Sequence, residues 1–286
     1  MSQLLETKSY QKLENSALNL IHDNRSGNKL ELVFMTFNEE DRIKNILLFY
    51  GREFDIVILD DGSNDSTCEL VQHHGGTVYK RIGDSIGENH FANYVNYQTK
   101  SGRCFYMMCD EYVEISELQK ASKLLLEGEG QVFGRRIDWF YGIQARKPTC
   151  LSPKGFRRGD AIYDPANFHD TLSYARQSTK KMILDVQHLH VYSMKDDYGK
   201  FGYYIYQEVL QLRKTASPIK SFFIRFLKLV RALQLNSLRF SKAPWLILFF
   251  LAQFFATIFL FVMAFIEQRS LKSRGEQIEL YIKEYL

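Results

Sequence analysis

The chain has 286 residues, of which 45% are hydrophobic and 24% charged, with a formal net charge of +4. That length suits one large domain, or one domain with an appendage, and the composition is that of an ordinary globular protein. The charge is too small to call for a nucleic-acid partner, and four cysteines (Cys68, Cys104, Cys109, Cys150) without CxxC pairing or clustered histidine exclude a zinc site and a disulfide framework.

Residues 1–29 are polar and weakly helical and are expected to form a variable arm. The opening run MSQLLETKSYQKLENS carries acids and no apolar stretch, unlike a secretory signal. From Leu30 the texture changes to alternating strand and helix. Leu30–Met35 is a short apolar run that stops at Thr36-Phe37-Asn38, and a helix follows over Glu39–Tyr50. Ile56–Leu59 reads as a second buried strand running into Asp60-Asp61-Gly62-Ser63, followed by a helix from Ser66 to His74. Thr77–Lys80 gives a third strand and Cys104–Cys109 a fourth, which ends at Asp110. Strands separated by helices of this size predict βαβ units and a mostly parallel, Rossmann-like α/β sheet with helices on both faces. In such sheets ligands bind at the carboxyl ends of the strands, and the polar clusters fall at those ends.

The C-terminal part differs. Between Arg213 and Lys242 there are eight basic residues and no acidic one. On a helical wheel Lys220, Arg225, Lys228 and Arg231 share one side, with Phe222, Phe226, Leu229, Val230 and Leu233 on the other. Residues Ser217–Leu235 therefore read as a basic amphipathic helix suited to anionic lipid. Ala243–Ile266 then runs 24 residues without a charge, with Pro244 placed for a first helical turn. A membrane segment is the expectation, and basic residues on both flanks leave its orientation open. The predicted organisation is an arm (1–29), a catalytic domain (30–216) and a membrane-associating helical region (217–286).

A carboxylate-rich crevice beside a membrane suggests particular chemistry. Asp61 can accept a hydrogen bond from a base-ring N–H, and Thr36 and Asn38 can bind polar edges of the same ligand. Asp110 and Glu111 are hard oxygen ligands that suit Mg2+ or Mn2+, and such an ion neutralises a diphosphate. Lys154, Arg157 and Arg158 offer positive charge to phosphate oxygens, and His169-Asp170 pairs a metal ligand with a general base. Base recognition, metal, diphosphate and proton acceptor together describe glycosyl transfer from a nucleotide-sugar.

Thr36-Phe37-Asn38-Glu39-Glu40, followed by Asp60-Asp61-Gly62-Ser63-Asn64-Asp65-Ser66-Thr67, resembles the family 2 glycosyltransferases of the GT-A fold. The likeness continues through Tyr106–Glu111, Arg135-Arg136 with Gly142, Phe156–Gly159, His169-Asp170 and His190-Val191-Tyr192. That order is similar to the lipopolysaccharide-core β-glucosyltransferase branch and covers roughly Leu30 to Ala216. The resemblance implies that Asp61 contacts uracil and that Thr36, Asn38, Glu39 and Asp60 belong to the nucleotide pocket. It further implies that Asp110 holds the metal and that Asp170 deprotonates the acceptor, with inversion at the anomeric carbon. Two positions depart from the pattern. Met108 stands where the first acid of Asp-x-Asp would be, which leaves registers using Glu111 or Glu114 open. Asp170 stands where this branch usually has Glu.

Other readings of these residues are structural. The Asp-Gly-Ser and Asn-Asp-Ser-Thr runs are also turn and cap chemistry. His73-His74 and His188-x-His190 fit surface or core histidines, Arg135-Arg136 a solvated face, and Tyr203, Tyr204 and Tyr206 packing. A nucleotidyltransferase would want a basic Gly-rich loop where Thr36–Glu40 is acidic; the remaining alternatives are a polyprenyl-phosphate glycosyltransferase and a catalytically impaired membrane scaffold on the same fold. The expected partners are a nucleotide-sugar donor, a lipid-linked glycan acceptor and membrane lipids. The expected location is the cytoplasmic face of a membrane, with homo-oligomerisation left open.

Overall fold

A computed structural model of the protein describes residues 18–81, 89–128, 130–140, 143–144, 148, 150–163, 172–191 and 255. In chain order the elements are β1 (Leu18–His22), β2 (Glu31–Thr36), α1 (Glu40–Tyr50), β3 (Asp55–Asp60), α2 (Thr67–His73) and β4 (Thr77–Arg81). Next come α3 (Asn89–Asn93), which runs into a π-helical turn (Tyr94–Gln98), β5 (Arg103–Met108), β6 (Glu111–Tyr112) and α4 (Ile115–Leu126). The remaining strands are β7 (Gly130–Phe140), β8 (Ile143–Gln144), β9 (Cys150–Arg157), β10 (Ala161–Tyr163), β11 (Leu172–Tyr174) and β12 (Lys180–Val191). The chain divides into two compact units. Residues up to Trp139 together with 148–190 form the first; 140–147 and 191 onward belong to the second, which includes the short strand β8.

The first unit is built on one sheet, in the order β1-β4-β3-β2-β5-β9-β7-β12-β6. β4, β3, β2 and β5 are parallel, in register from Glu31 opposite Asp55 and Cys104. The expected mostly parallel sheet is therefore corrected to a mixed one: β1 joins β4 antiparallel, β9 joins β5 antiparallel, and β7 joins β9 antiparallel. The reason is the connections. Parallel neighbours need a crossover, usually helical, and among the described residues 130–191 there is no helix.

Alternation along the parallel strands explains why both faces are covered. Leu32, Phe34, Ile56, Ile58, Phe105 and Met107 pack with Ile43, Leu47, Val71, Leu118 and Leu125 from α1, α2 and α4. Val33, Val57, Leu59, Cys104 and Tyr106 face the other way, onto Phe91, Tyr94 and the β10–β11 pair. Strands buried on both faces read as continuous apolar runs, as β2, β3 and β5 do.

The polar arm expected over 1–29 is also corrected where it is described. Leu18–His22 forms the edge strand β1, and Arg25 is buried between the rings of Tyr79 and Tyr94 while donating to Asp23 and to the Gln98 carbonyl. Among the described residues no helix is long and apolar enough to cross a membrane. The amphipathic stretch 217–235 and, apart from Phe255, the apolar stretch 243–266 lie outside the described residues, as do residues 1–17 and the Tyr203, Tyr204 and Tyr206 cluster.

Candidate active site at the carboxyl ends of the parallel strands

With β2 central, β3 and β4 to one side and β5 to the other, the strand order reverses between β2 and β5. Open α/β sheets bind ligands outside the carboxyl ends of the strands at such a point. Thr36, Asp60 and Met108 are the last residues of the three strands concerned.

The two motif loops following β2 and β3 are stitched together before any ligand arrives. Asn38 has φ 54°, a left-handed conformation that Asn tolerates better than most residues. Its N–H donates to Ser63 Oγ at 2.9 Å, and its Oδ1 accepts from the Asn64 N–H at 2.9 Å. The Glu39 N–H donates to Thr67 Oγ1, the Glu40 N–H to Asp65, and the Ser66 N–H to Glu40 Oε2. Asp60 is fully buried and accepts from the Gly62 and Ser63 N–H groups, from Ser63 Oγ and from Thr36 Oγ1. This is an Asx-type turn, which Gly62 completes at φ 92°. Thr36, Asn38 and Asp60, expected in a nucleotide pocket, are engaged in holding the two loops together, and Glu39 holds Arg42 at 2.5 Å.

What this scaffold presents is Asp61. Its N–H donates to the Thr36 carbonyl, so its position is fixed by β2, while its side chain is 44% exposed. Oδ1 pairs with Arg81 Nε at 2.5 Å, at the end of β4. Burial pushes the Asp61 carboxyl above its usual value, and Arg81 and His90 offset only part of that. Arg81 is a site residue that the sequence reading misses, since one Arg at a strand end has no signature of its own.

The second charged group follows β5. Asp110 Oδ1 is buried and lacks a hydrogen-bond partner. It lies 3.5 Å from His188 Nε2 on β12, and His188 Nδ1 lies 3.0 Å from Asp138 Oδ1 on β7, a close approach without hydrogen-bond alignment. Arg136 Nε donates to the same Asp138 oxygen at 2.7 Å. These elements meet because β9 runs antiparallel to β5 and β7 antiparallel to β9, so the carboxyl ends of β5 and β7 reach one rim. Arg42 on α1 adds a guanidinium beside Asp110. Burial would lower its pKa, but Glu39, and beyond it Asp110, raise it.

The sequence reads His188 as a core or surface histidine, yet it stands against the expected metal ligand. Residues fit a divalent cation here. Two ligand atoms bound to one ion at about 2.1–2.2 Å lie roughly 3.0–3.5 Å apart for angles between 90° and 110°, and the Asp110–His188 spacing is 3.5 Å. No group of three His, Cys, Asp or Glu ligands occurs among the described residues. Asp110 and His188 would thus share an ion with donor phosphates and water, as Mg2+ prefers.

Several expected site residues are placed elsewhere. Both oxygens of buried Glu111 accept from the Lys154 ammonium, at 2.8 and 2.7 Å, and Oε2 also accepts from the Met108 N–H. Glu111 as metal ligand and Lys154 as phosphate cation are corrected on that ground: they neutralise each other and brace the turn that carries Asp110. Arg157 is opposite Arg103, at the amino end of β5, where it pairs with Asp160 at 3.6 Å. The neighbouring Arg158 donates to the Thr99 carbonyl. Both are a strand length away from Asp110 and are corrected to structural roles. His169 and Asp170 lie outside the described residues.

No protein-family model matches the chain. Over 138 residues it is 22% identical to 4,4'-diaponeurosporenoate glycosyltransferase of Staphylococcus aureus (strain USA300), a match covering 47% of this chain and 36% of that protein. The chain thus spans about a third of the length of the curated relatives it matches. Among solved structures it is similar to glucosyl-3-phosphoglycerate synthase from Mycobacterium tuberculosis in complex with Mn2+, UDP and glucosyl-3-phosphoglycerate. There the TM-score is 0.42 at 13% identity, over 61% of this chain and 76% of that one. A second structure of that synthase, in complex with Mg2+ and UDP, gives a TM-score of 0.33 at 17% identity, over 40% and 44% of the two chains.

Proposed function

We propose that this chain is a metal-dependent glycosyltransferase of the GT-A type, moving a sugar from a UDP-sugar to a lipid-linked or lipopolysaccharide-type glycan at a membrane surface. The observation that carries the reading is the pair of acids on either side of β2: half-exposed Asp61 after β3, and Asp110 after β5 with a buried, unsatisfied oxygen opposite His188. Two strand spacings separate them, about 10 Å, a span suited to a nucleoside at one end and its diphosphate at the other. The limited identity to a curated glycosyltransferase supports the same reaction class.

In this reading Asp61 accepts the ring N–H of uracil, a contact that the unprotonated N3 of cytosine does not offer. Asp110 and His188 hold Mg2+ or Mn2+, which supplies charge neutralisation for the departing diphosphate. Asp170 is the base that takes the acceptor hydroxyl proton, giving displacement with inversion. Ser217–Leu235 and Ala243–Ile266 bring the crevice to a lipid-borne acceptor, the first by charge and the second by apolar burial.

A thermal-shift screen of UDP-, GDP-, CMP- and dTDP-sugars with and without Mn2+ tests the donor assignment, because a ligand of the folded state raises stability with occupancy. Stabilisation by UDP-sugars that deepens with Mn2+ is the expected result. Stabilisation by GDP- or CMP-sugars with no response to UDP would sink it.

A further inference from the structure

The reading above leaves Asp138 and Arg136 without a part in donor binding, although both are tied to the expected metal ligand. Asp138 is 2% exposed, and its Oδ1 receives the Arg136 guanidinium on one side and His188 Nδ1 on the other. Arg136 is held charged there: burial works against the guanidinium, and Asp138 outweighs it. The sequence around them is an alternating strand in which Asp138 is a buried acid among residues paired outward, Arg135 with Asp185 and Trp139 Nε1 with Gln187. A buried carboxylate is costly unless it is paired, and Asp138 is paired with Arg136 while its Oδ1 stands beside His188.

From this geometry we infer that Asp138, backed by Arg136, is a positioning residue that sets the orientation and tautomer of His188 for metal binding. The inference rests on the assignment of Asp110 and His188 as the metal ligands. With Asp138 Oδ1 3.0 Å from Nδ1, the carboxylate favours the tautomer protonated at Nδ1, which presents the Nε2 lone pair, and Nε2 is the atom that faces Asp110. Partners of this kind fix the ring and raise its basicity as a ligand, and losing one typically costs about 10–100-fold in metal affinity. The arrangement matters more in this chain than where two acids flank the ion. Met108 contributes a thioether at the first acid position, and Glu111 is taken by Lys154. Among the described residues, affinity therefore depends on the His188 imidazole being held correctly. Arg136 keeps Asp138 from turning toward other donors and neutralises it, so that the pair adds no net charge beneath the ion.

The test uses the full 286-residue chain, with Mn2+ titrated by electron paramagnetic resonance in the presence of UDP. Asp138→Asn is expected to weaken Mn2+ by about 10–100-fold while metal-free UDP binding stays as in the wild type. Nitrogen-15 spectra of His188 should show the ring proton at Nδ1 in the wild type and displaced from it in the variant. Asp138→Glu, which keeps the charge, should recover part of the affinity. Arg136→Gln, which leaves Asp138 in place, should weaken Mn2+ in the same direction by less, and it stands in if Asp138→Asn does not fold. Unchanged Mn2+ affinity in these variants, alongside loss in Asp110→Ala and His188→Ala, overturns the positioning role alone. If Asp110→Ala and His188→Ala also keep Mn2+ affinity, the metal site itself is refuted and this role with it.

Discussion

The two ends of the parallel strands treat their charged side chains differently. At the amino ends the described acids are mostly closed, although Asp160, paired with Arg157, also keeps a buried oxygen without a hydrogen bond. Glu31 is fully buried and accepts from the Lys100 and Ser101 N–H groups, from Tyr94 OH and from Thr99 Oγ1, with Arg25 at 4.0 Å. Asp55 accepts from the N–H and hydroxyl of Ser26 and from the Gly27 N–H. Arg25 holds the Asp23 carboxyl well below its usual range. At the carboxyl ends the acids are left partly open: Asp110 has a buried oxygen without a hydrogen bond, and Asp61 is held through Oδ1 by Arg81 and is otherwise half exposed. Charges that hold a fold saturate one another, whereas charges that hold a ligand keep acceptor capacity in reserve. Asp160 shows that an open oxygen alone does not mark a ligand-holding acid; at Asp110 it is the His188 ring opposite that oxygen which sets the site apart.

The contrast is broken most directly at Glu31. Glu31→Ala removes one partner from a buried cluster and strands four donors, so it should cost about 3–5 kcal/mol of stability. Urea or thermal unfolding measures this, and a loss under about 1 kcal/mol would show that the amino-end network contributes little. Any surviving folded protein should bind UDP as the wild type does.

Asp110→Ala should do the reverse. Removing an acid whose buried Oδ1 already lacks a hydrogen bond strands little there, so the unfolding midpoint should stay near that of the wild type. Mn2+ affinity should fall by more than about 100-fold, since even outer partners of a metal ligand are worth about 10–100-fold. A large drop in stability with Mn2+ binding intact would place Asp110 among the structural acids and end the comparison.

Much of this is legible in the sequence, for identifiable reasons. β2, β3 and β5 are apolar runs bounded by turn residues, so their existence, order and carboxyl-end loops can be read from local pattern. Asp61 and Asp110 are legible because each closely follows such a run. The antiparallel half is not, since β7, β9 and β12 mix charges with apolar residues and their pairing is set by contacts far apart in sequence. For the same reason His188 cannot be brought to Asp110, nor Lys154 to Glu111, from spacing alone: 78 and 43 positions separate these pairs. Arg157 and Arg158 are misplaced by the sequence because a basic pair carries no mark of which end of a strand it occupies. Only the antiparallel register of β9 with β5 shows it.

The smallest effect sharpens the comparison most, because it sets stability against binding at one residue. Asp61 has its carboxyl raised by burial, so its contribution to stability is present below the ordinary value of 3.8 and is lost as pH rises through the raised value. At neutral pH the ionised side chain therefore costs the fold something, which Arg81 only partly offsets, and solvent screening keeps the amount small. Asp61→Asn should leave the melting temperature at neutral pH no lower than that of the wild type, with any gain shrinking as the pH falls toward the carboxylate range. In the proposed function the same substitution removes the charged acceptor for the uracil N–H, so UDP affinity should fall by about tenfold, equivalent to about 1.4 kcal/mol. An amide can also donate, and cytosine N3 accepts, so CDP should lose less affinity than UDP, or gain. Isothermal titration with both nucleotides, run beside thermal unfolding across pH, reads the two effects separately. An Asp61→Asn variant that binds UDP normally but unfolds early would assign this acid to the fold, as at the amino ends, and would remove the base-recognising half of the site.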